Sequence, residues 1–373
     1  MLGDKLSQKE GIITFDPLKN TKQRILIAPL DWGLGHATRC VPLIKELTAD
    51  FEPVLAASGR SKQFLQQLFP DLLHIEFKGY NIRYPANGNM ATKMLLQAPK
   101  VLQRIKEEHR ELQSLIQEHR IDLVISDNRF GLYSSSIPCI YITHQVHIQA
   151  PNLLSDPLFK LHGKYIKRYT ECWIPDHPDA HNLSGELGHG EVPANCRYIG
   201  PLSRLQKVDC EKAFDYCALI SGPEPQRTKF EDLLSSMFRN RAESLLLLCG
   251  KPEENSKVKE GNITRISHQG DQELARSICS AKAVIARPGY SSIMDLAQLE
   301  APCILVPTPG QTEQQYLAEY HQQTNSVPWF SQSELSMEQL KQTTASVIQT
   351  NWVSPNFNQE IRRILEETAN KNG

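Results

Sequence analysis

No stretch of about 20 apolar residues occurs in the 373-residue chain, so no segment is expected to cross a bilayer as a helix. Charge of one sign is not in excess either. Lys and Arg number 41 against 42 Asp and Glu, and the net −1 offers no general attraction for nucleic acid. Residues 1–23 lack the apolar core of a signal peptide and read as a short extension. The nine cysteines include no C-x-x-C pair, and several fall in expected strands, where a free thiol is a small apolar filler. That usage points to a reducing, cytoplasmic setting. No G-x-x-x-x-G-K-[ST] is present, which excludes a P-loop phosphotransferase. His177, His181 and His189 lie in loosely spaced "HPDAH" and "GHGE" and read as a solvated loop, so no metal is expected.

What is present is an alternation of short apolar runs and helical patterns, and 373 residues are enough for two cores. "RILIAPL", "PVLAAS", "LLHIEF", "DLVISD" and "CIYIT" predict buried strands in the first half, with "ECWIP" and "CRYIG" as further candidates. After residue 215 the rhythm restarts with "YCALISG", "SLLLLCG", "ITRIS", "AVIARPG" and "CILVPTP". The fold class expected is α/β, with two tandem doubly wound Rossmann-like domains and a cleft between them. They are placed at 24–200 and 215–345, joined by a linker at 201–214 and followed by a terminal helical segment, 346–373, with Ser354 as N-cap and Pro355 at N1. Ligands of such sheets bind beyond the carboxyl ends of the strands.

Two strand ends carry glycine turns. "DWGLGHATRC" resembles a dinucleotide fingerprint, but Thr38 replaces its third glycine. Ser58 and Arg60 after the second strand suit an NADP phosphate better than the ribose of NAD. In the second half, Arg287-Pro288-Gly289 ends a strand, and Ser291-Ser292 begins a helix whose free N–H groups and positive dipole end suit a diphosphate. Asp295 on that helix's first turn suits two ribose hydroxyls. Glu313 and Gln314 at the next helix start suit the hydroxyls of a sugar. Taken singly, Asp295 and Glu313 are better explained as carboxylates favoured by a helix start; together, on adjacent strand ends, they favour a nucleotide-sugar.

The arrangement R-x-G-x-S-[ST]-x-x-[DE]-L followed by P-x-x-[DE]-Q resembles the donor half of GT-B glycosyltransferases, and most nearly the bacterial peptidoglycan N-acetylglucosaminyltransferase group (MurG-like, glycosyltransferase family 28). "GLGHATRCVPLIKEL" resembles that group's first glycine loop, and "LISGPEPQR" stands where it has a second, although with two prolines. The resemblance implies a UDP-sugar as donor substrate, no cofactor and no metal. By position, Asp295 would hold the ribose, and Gly289, Ser291, Ser292, Ser221 and Gly222 the diphosphate. Glu313 and Gln314 would meet the sugar.

Departure of a diphosphate develops negative charge, which Arg287 could stabilise unless it pairs with Asp295 or Glu313. The acceptor hydroxyl needs a base, and His36 is the candidate. Gly33 and Gly35 let the backbone pass close beneath a substrate, and the helix dipole would keep the imidazole neutral. The rival reading makes His36 a helix cap or a hydrogen-bonded structural residue. Arg39 would meet a phosphate or a surface carboxylate. His144 would contact donor or acceptor, or simply end its strand. The mixed apolar and basic segment 151–171 reads either as an ordinary packed helix or as a weak peripheral contact with an anionic membrane. A lipid-linked acceptor rests on analogy. Two other functions stay open: a GT-B-fold sugar-nucleotide epimerase, and an NADP-dependent oxidoreductase.

Overall fold

The computed structural model describes residues 22–80, 90–148, 152–350 and 356–372. The extension before residue 22 and the cap at Ser354 and Pro355 lie outside them. In the first half β1 (Arg24–Pro29), α1 (Leu34–Leu47), β2 (Glu52–Ala57), α2 (Gly59–Leu68), β3 (Leu73–Glu76) and α3 (Met90–His119) follow in turn. Then come β4 (Leu123–Asp127), β5 (Cys139–Ile142), α4 (Asn152–Ile166), β6 (Glu171–Ile174) and β7 (Cys196–Tyr198). The strands pair in parallel in the order β3-β2-β1-β4-β5-β6-β7. Every residue of β4 and β5 is buried, as a parallel strand covered on both faces requires.

The second half holds β8 (Phe214–Leu219), α5 (Gln226–Phe238), β9 (Leu245–Leu248), β10 (Lys257–Glu260), β11 (Ile263–Ile266) and α6 (Asp271–Cys279). It continues with β12 (Ala281–Ala286), α7 (Tyr290–Gln298), β13 (Cys303–Leu305), α8 (Thr312–Asn325), α9 (Met337–Gln342) and α10 (Phe357–Asn372). Its sheet runs β10-β11-β9-β8-β12-β13. One edge strand stands outside the parallel pattern of such a domain: β10 pairs antiparallel with β11, while the other pairs of this sheet are parallel. β10 is exposed along its whole length, so no apolar pattern marks it and backbone pairing alone makes it a strand.

Each sheet reverses its strand order once, between β1 and β4 in the first and between β8 and β12 in the second. Those two crevices are where the fold leaves room for a ligand. Ala37 and Cys40 of α1, Leu202 and Leu205 of the connection, and Tyr290 and Ile293 of α7 belong to one continuous apolar cluster that joins the halves. Burying a side chain the size of Leu202, Leu205 or Ile293 contributes roughly 1.5–3 kcal/mol. α10 crosses back to the first half. Phe357 stacks on Trp173 at 5.9 Å, and Arg363 donates to Glu171 at 2.5 Å.

Candidate active site

The first crevice is closed from below by a carboxylate. Asp127 ends β4, next to the end of β1, with its side chain 0% exposed. It accepts a hydrogen bond from Nε of Arg39 at 2.6 Å, and the Arg39 Nη2 also reaches it. His36, on the first turn of α1, places Nδ1 at 2.9 Å from Asp127 Oδ1. Nδ1 also lies 2.9 Å from Nη2 of Arg39, which only donates. The proton is assigned to Nδ1 because the carboxylate only accepts and Arg39 Nη2 has Asp127 as its own acceptor, and that assignment leaves Nε2 as the basic nitrogen. Burial alone would push the Asp127 carboxyl up. Arg39 and His36 outweigh it and hold the group well below the usual carboxylate range.

The network continues across the cleft. Arg39 Nη1 lies 3.2 Å from Nδ1 of His144, which must accept, because a guanidinium only donates. The other ring nitrogen, Nε2, is therefore the donor to Glu313 Oε1 at 2.9 Å. Glu313 stands on the first turn of α8 in the second half and is about a third exposed at 34%. Burial opposes its charge, but the hydrogen bond from His144 prevails and its pKa is lowered. The His144 ring stacks on Tyr290 of α7 at 4.1 Å, and Tyr290 donates to the carbonyl of Pro175 at 2.8 Å. A continuous chain thus runs His36–Asp127–Arg39–His144–Glu313. With neutral imidazoles it holds one cation and two carboxylates.

His36 is 14% exposed, and its pKa is lowered from the usual 6.5. Burial is the largest cause and Arg39 the next, with Asp127 opposing both. The direction is the one expected from the helix dipole, but burial rather than the dipole is its main cause. Of the two partners expected for Arg39 it meets a carboxylate, but the buried Asp127 rather than one on the surface.

The two glycine turns meet. Ser291, on the first turn of α7, donates to the Gly35 carbonyl at 2.9 Å, and a Cβ on Gly35 would stand 3.0 Å from the Ser291 hydroxyl oxygen. Gly33, at φ 95°, supplies the backbone turn that no L side chain adopts readily. Gly289 is the N-cap of α7, and Ser292 lies beside Ser291. Ser221 and Gly222 follow β8 on the other side of the second crevice, with Gly222 at φ 101°.

Asp295 lies deeper and borders a cavity of about 140 Å³, also lined by Leu34, Phe64, Leu219, Ile266 and Arg204. Ser203 of the connection donates to it at 2.5 Å. Burial pushes its carboxyl up to about 6, against the opposing pull of Arg204 and Ser203. Gln314 is buried, and its side-chain oxygen accepts from the N–H of Thr308 at 2.8 Å.

One expectation fails. Arg287 is 1% exposed and donates to the carbonyls of Val306 and Pro307, both at 2.9 Å, with Phe230 stacked 3.9 Å below. It braces the loop after β13 and meets neither Asp295 nor Glu313. Burial lowers its pKa to about 9.

Comparison with known proteins fits this geometry. Residues 225–362 match the glycosyltransferase family 28 C-terminal domain, and residues 23–171 match glycosyl transferase family 1. An uncharacterized glycosyltransferase of Methanosarcina mazei is 26% identical over 324 residues, covering 78% of this chain and 81% of its own. The chain is a glycosyltransferase.

Its fold is GT-B. The structure of MurG from Acinetobacter baumannii, 13% identical, superposes with a TM-score of 0.51 over 94% of both chains. That of LpCGTa in complex with UDP, 14% identical, gives 0.55 over 93% of this chain and 94% of the other. The residues that would have served an oxidoreductase are engaged elsewhere in this glycosyltransferase. Ser58 donates to Asp31 at 3.0 Å, and Arg60 crosses to Gly250 and Glu253 of the second half. His189 directs its ring nitrogens at the carbonyls of Gly185 and His177. No helix among the described residues is long and apolar enough to cross a membrane.

Asp127 was not singled out in the sequence. "DLVISD" reads as a strand with a polar last residue, and only the pairing of β4 with β1 brings that residue beneath His36, 91 positions away. The signal that could have found it is topological: a carboxylate ending the strand beside the crevice.

Proposed function

We propose that the enzyme moves a sugar from a UDP-sugar, UDP-N-acetylglucosamine or a UDP-hexose, to a hydroxyl acceptor without a metal, with His36 as general base. The observation that carries this reading is the His36–Asp127 pair at one crevice, directly opposite the α7 start at the other. Nε2 of His36 takes the acceptor proton as the hydroxyl oxygen attacks the anomeric carbon. The bond from that carbon to the diphosphate breaks, and its electron pair leaves on the diphosphate. Asp127 holds the imidazole in the required tautomer and balances the imidazolium that forms. The N–H groups of α7, with Gly289, Ser291 and Ser292, receive the diphosphate, and Ser221 and Gly222 flank it. Asp295 takes ribose hydroxyls in place of Ser203, and Glu313 and Gln314 take those of the sugar. The UDP bound to the structurally similar LpCGTa supports a uridine donor.

His36→Ala tests the reading. Calorimetry should show UDP binding largely retained while turnover falls roughly 10²–10⁴-fold. Near-full turnover would move the base elsewhere, with His144 next in line.

A lipid-linked acceptor, reached at the cytoplasmic face of a membrane, is the extension suggested by likeness to MurG. On the described part of α4 and just beyond it, Lys160, Leu161, Lys164, Lys167 and Arg168 are exposed, and such a basic-apolar face suits an anionic bilayer. Salt-sensitive co-sedimentation with anionic but not neutral vesicles is expected. Equal sedimentation with both would remove the membrane from the proposal.

A further inference from the structure

Past Glu313 the α8 face runs into a groove of about 470 Å³ between the halves. Its walls are Asn182, Glu186 and His189 from the segment between β6 and β7, and Tyr316, Glu319 and Tyr320 from α8. Glu313, Tyr316 and Tyr320 stand at i, i+3 and i+7, so the groove opens about one helical turn, roughly 5 Å, from the carboxylate that meets His144.

The two phenol rings stack at 6.2 Å with planes 13° apart. Their hydroxyls are engaged: Tyr316 accepts from the N–H of Glu186 at 2.6 Å, and Tyr320 donates to Asn182 at 2.9 Å. The rings are therefore held in place, and both, half-buried, line the groove with ring carbon. The opposite wall is equally built. Asp176, fully buried, accepts from the N–H groups of Leu183 and Ser184, both at 2.8 Å. Gly185 stands at φ 55°, and a Cβ there would lie 2.4 Å from the Tyr316 oxygen, so this packing needs glycine. The Glu186 carboxylate makes no hydrogen bond among the described residues, and it is exposed.

Fixed aromatic surfaces beside carboxylates, with no Lys or Arg in the lining among the described residues, disfavour a phosphate or an acid. They match a ring with apolar C–H faces and a rim of hydroxyl or amine donors. We infer that this groove binds a sugar unit of the acceptor, which extends along α8 from the hydroxyl that reacts at His36. The inference rests on the glycosyltransferase reading of the cleft and adds a saccharide to the acceptor's description.

The test titrates the full chain with cellobiose and with the glucosamine disaccharide by saturation-transfer NMR, and separately with UDP by calorimetry. At least one disaccharide should bind. Tyr320→Ala should weaken it about fivefold or more while Tyr320→Phe keeps it, because the ring and not the hydroxyl makes the contact. Should Tyr320→Ala prove unstable, Glu186→Gln on the exposed wall should weaken binding in the same sense. Binding of neither sugar, or binding indifferent to these substitutions, overturns the inference. Loss of UDP binding with saccharide binding intact would instead sink the donor assignment and leave the groove standing.

Discussion

Replacing Asp127 by asparagine would leave the Arg39 guanidinium buried beside a neutral amide. Removing one partner of such a pair costs about 3–5 kcal/mol. The same change deprives His36 of the anion that fixes its tautomer and balances its charge. Asp127→Asn should therefore lower the unfolding midpoint and also reduce kcat by roughly 10²–10⁴-fold, measured at a temperature where the variant is still folded. A folded variant with undiminished kcat would show that Asp127 only anchors Arg39. At this scale the sequence was legible where a residue type was unusual for its place. His36 in a glycine turn, His144 after a strand and Glu313 at a helix start all enter the central chain of contacts. Arg287 misled because neighbouring residues at a strand end point to opposite faces, and the motif does not say which face the arginine takes.

Among the elements, α3 shows how a charged pattern conceals a buried role. Its many charges predict a half-exposed helix, and much of it is one. Glu108, however, is 0% exposed. It accepts from Nε of Arg129 at 2.9 Å and from the Tyr80 hydroxyl at 2.9 Å. Arg129 stands two residues past Asp127 and donates on to the carbonyl of Pro29 at 3.4 Å. The ion pair thus ties α3 to the ends of β1 and β4, the strands that border the first crevice. Burial raises the Glu108 pKa against the pull of Arg129. Glu108→Ala should cost about 3–5 kcal/mol in urea denaturation, because it strands a buried guanidinium. A loss below about 1 kcal/mol, the range of exposed pairs, would mean that α3 is held by apolar packing alone.

For the whole molecule the main lever is acid. His162 and His321 are buried, and burial lowers each to about 4, against an ordinary 6.5. His321 belongs to α8 and faces the Leu183 carbonyl of the first half at 3.1 Å, so its protonation strikes the contact between the halves. The unfolded chain takes up these protons near pH 6.5 while the folded chain resists. Stability is thus present above pH 6.5 and falls as the pH drops toward 4, by about 1.4 kcal/mol per pH unit for each histidine. His36 acts in the same direction. Asp295, pushed up to about 6, opposes them by holding its proton in the folded state. The net sense is destabilisation by acid, so the urea midpoint should fall between pH 7 and pH 5. A flat profile would contradict the neutral burial of these histidines.

Local chemistry alone determined the alternation of strands and helices, the restart of that rhythm near residue 215, and the glycine turns at two strand ends. Each depends on neighbours a few residues apart, through apolar periodicity and the conformational freedom of glycine. Tertiary structure decided which strands stand side by side, and so placed Asp127 beneath His36 and Ser203 against Asp295. It also decided which face a strand-end side chain takes, turning Arg287 inward and His144 toward Glu313. Those outcomes depend on pairing and burial between residues tens to hundreds of positions apart, and a linear pattern carries no record of such distances.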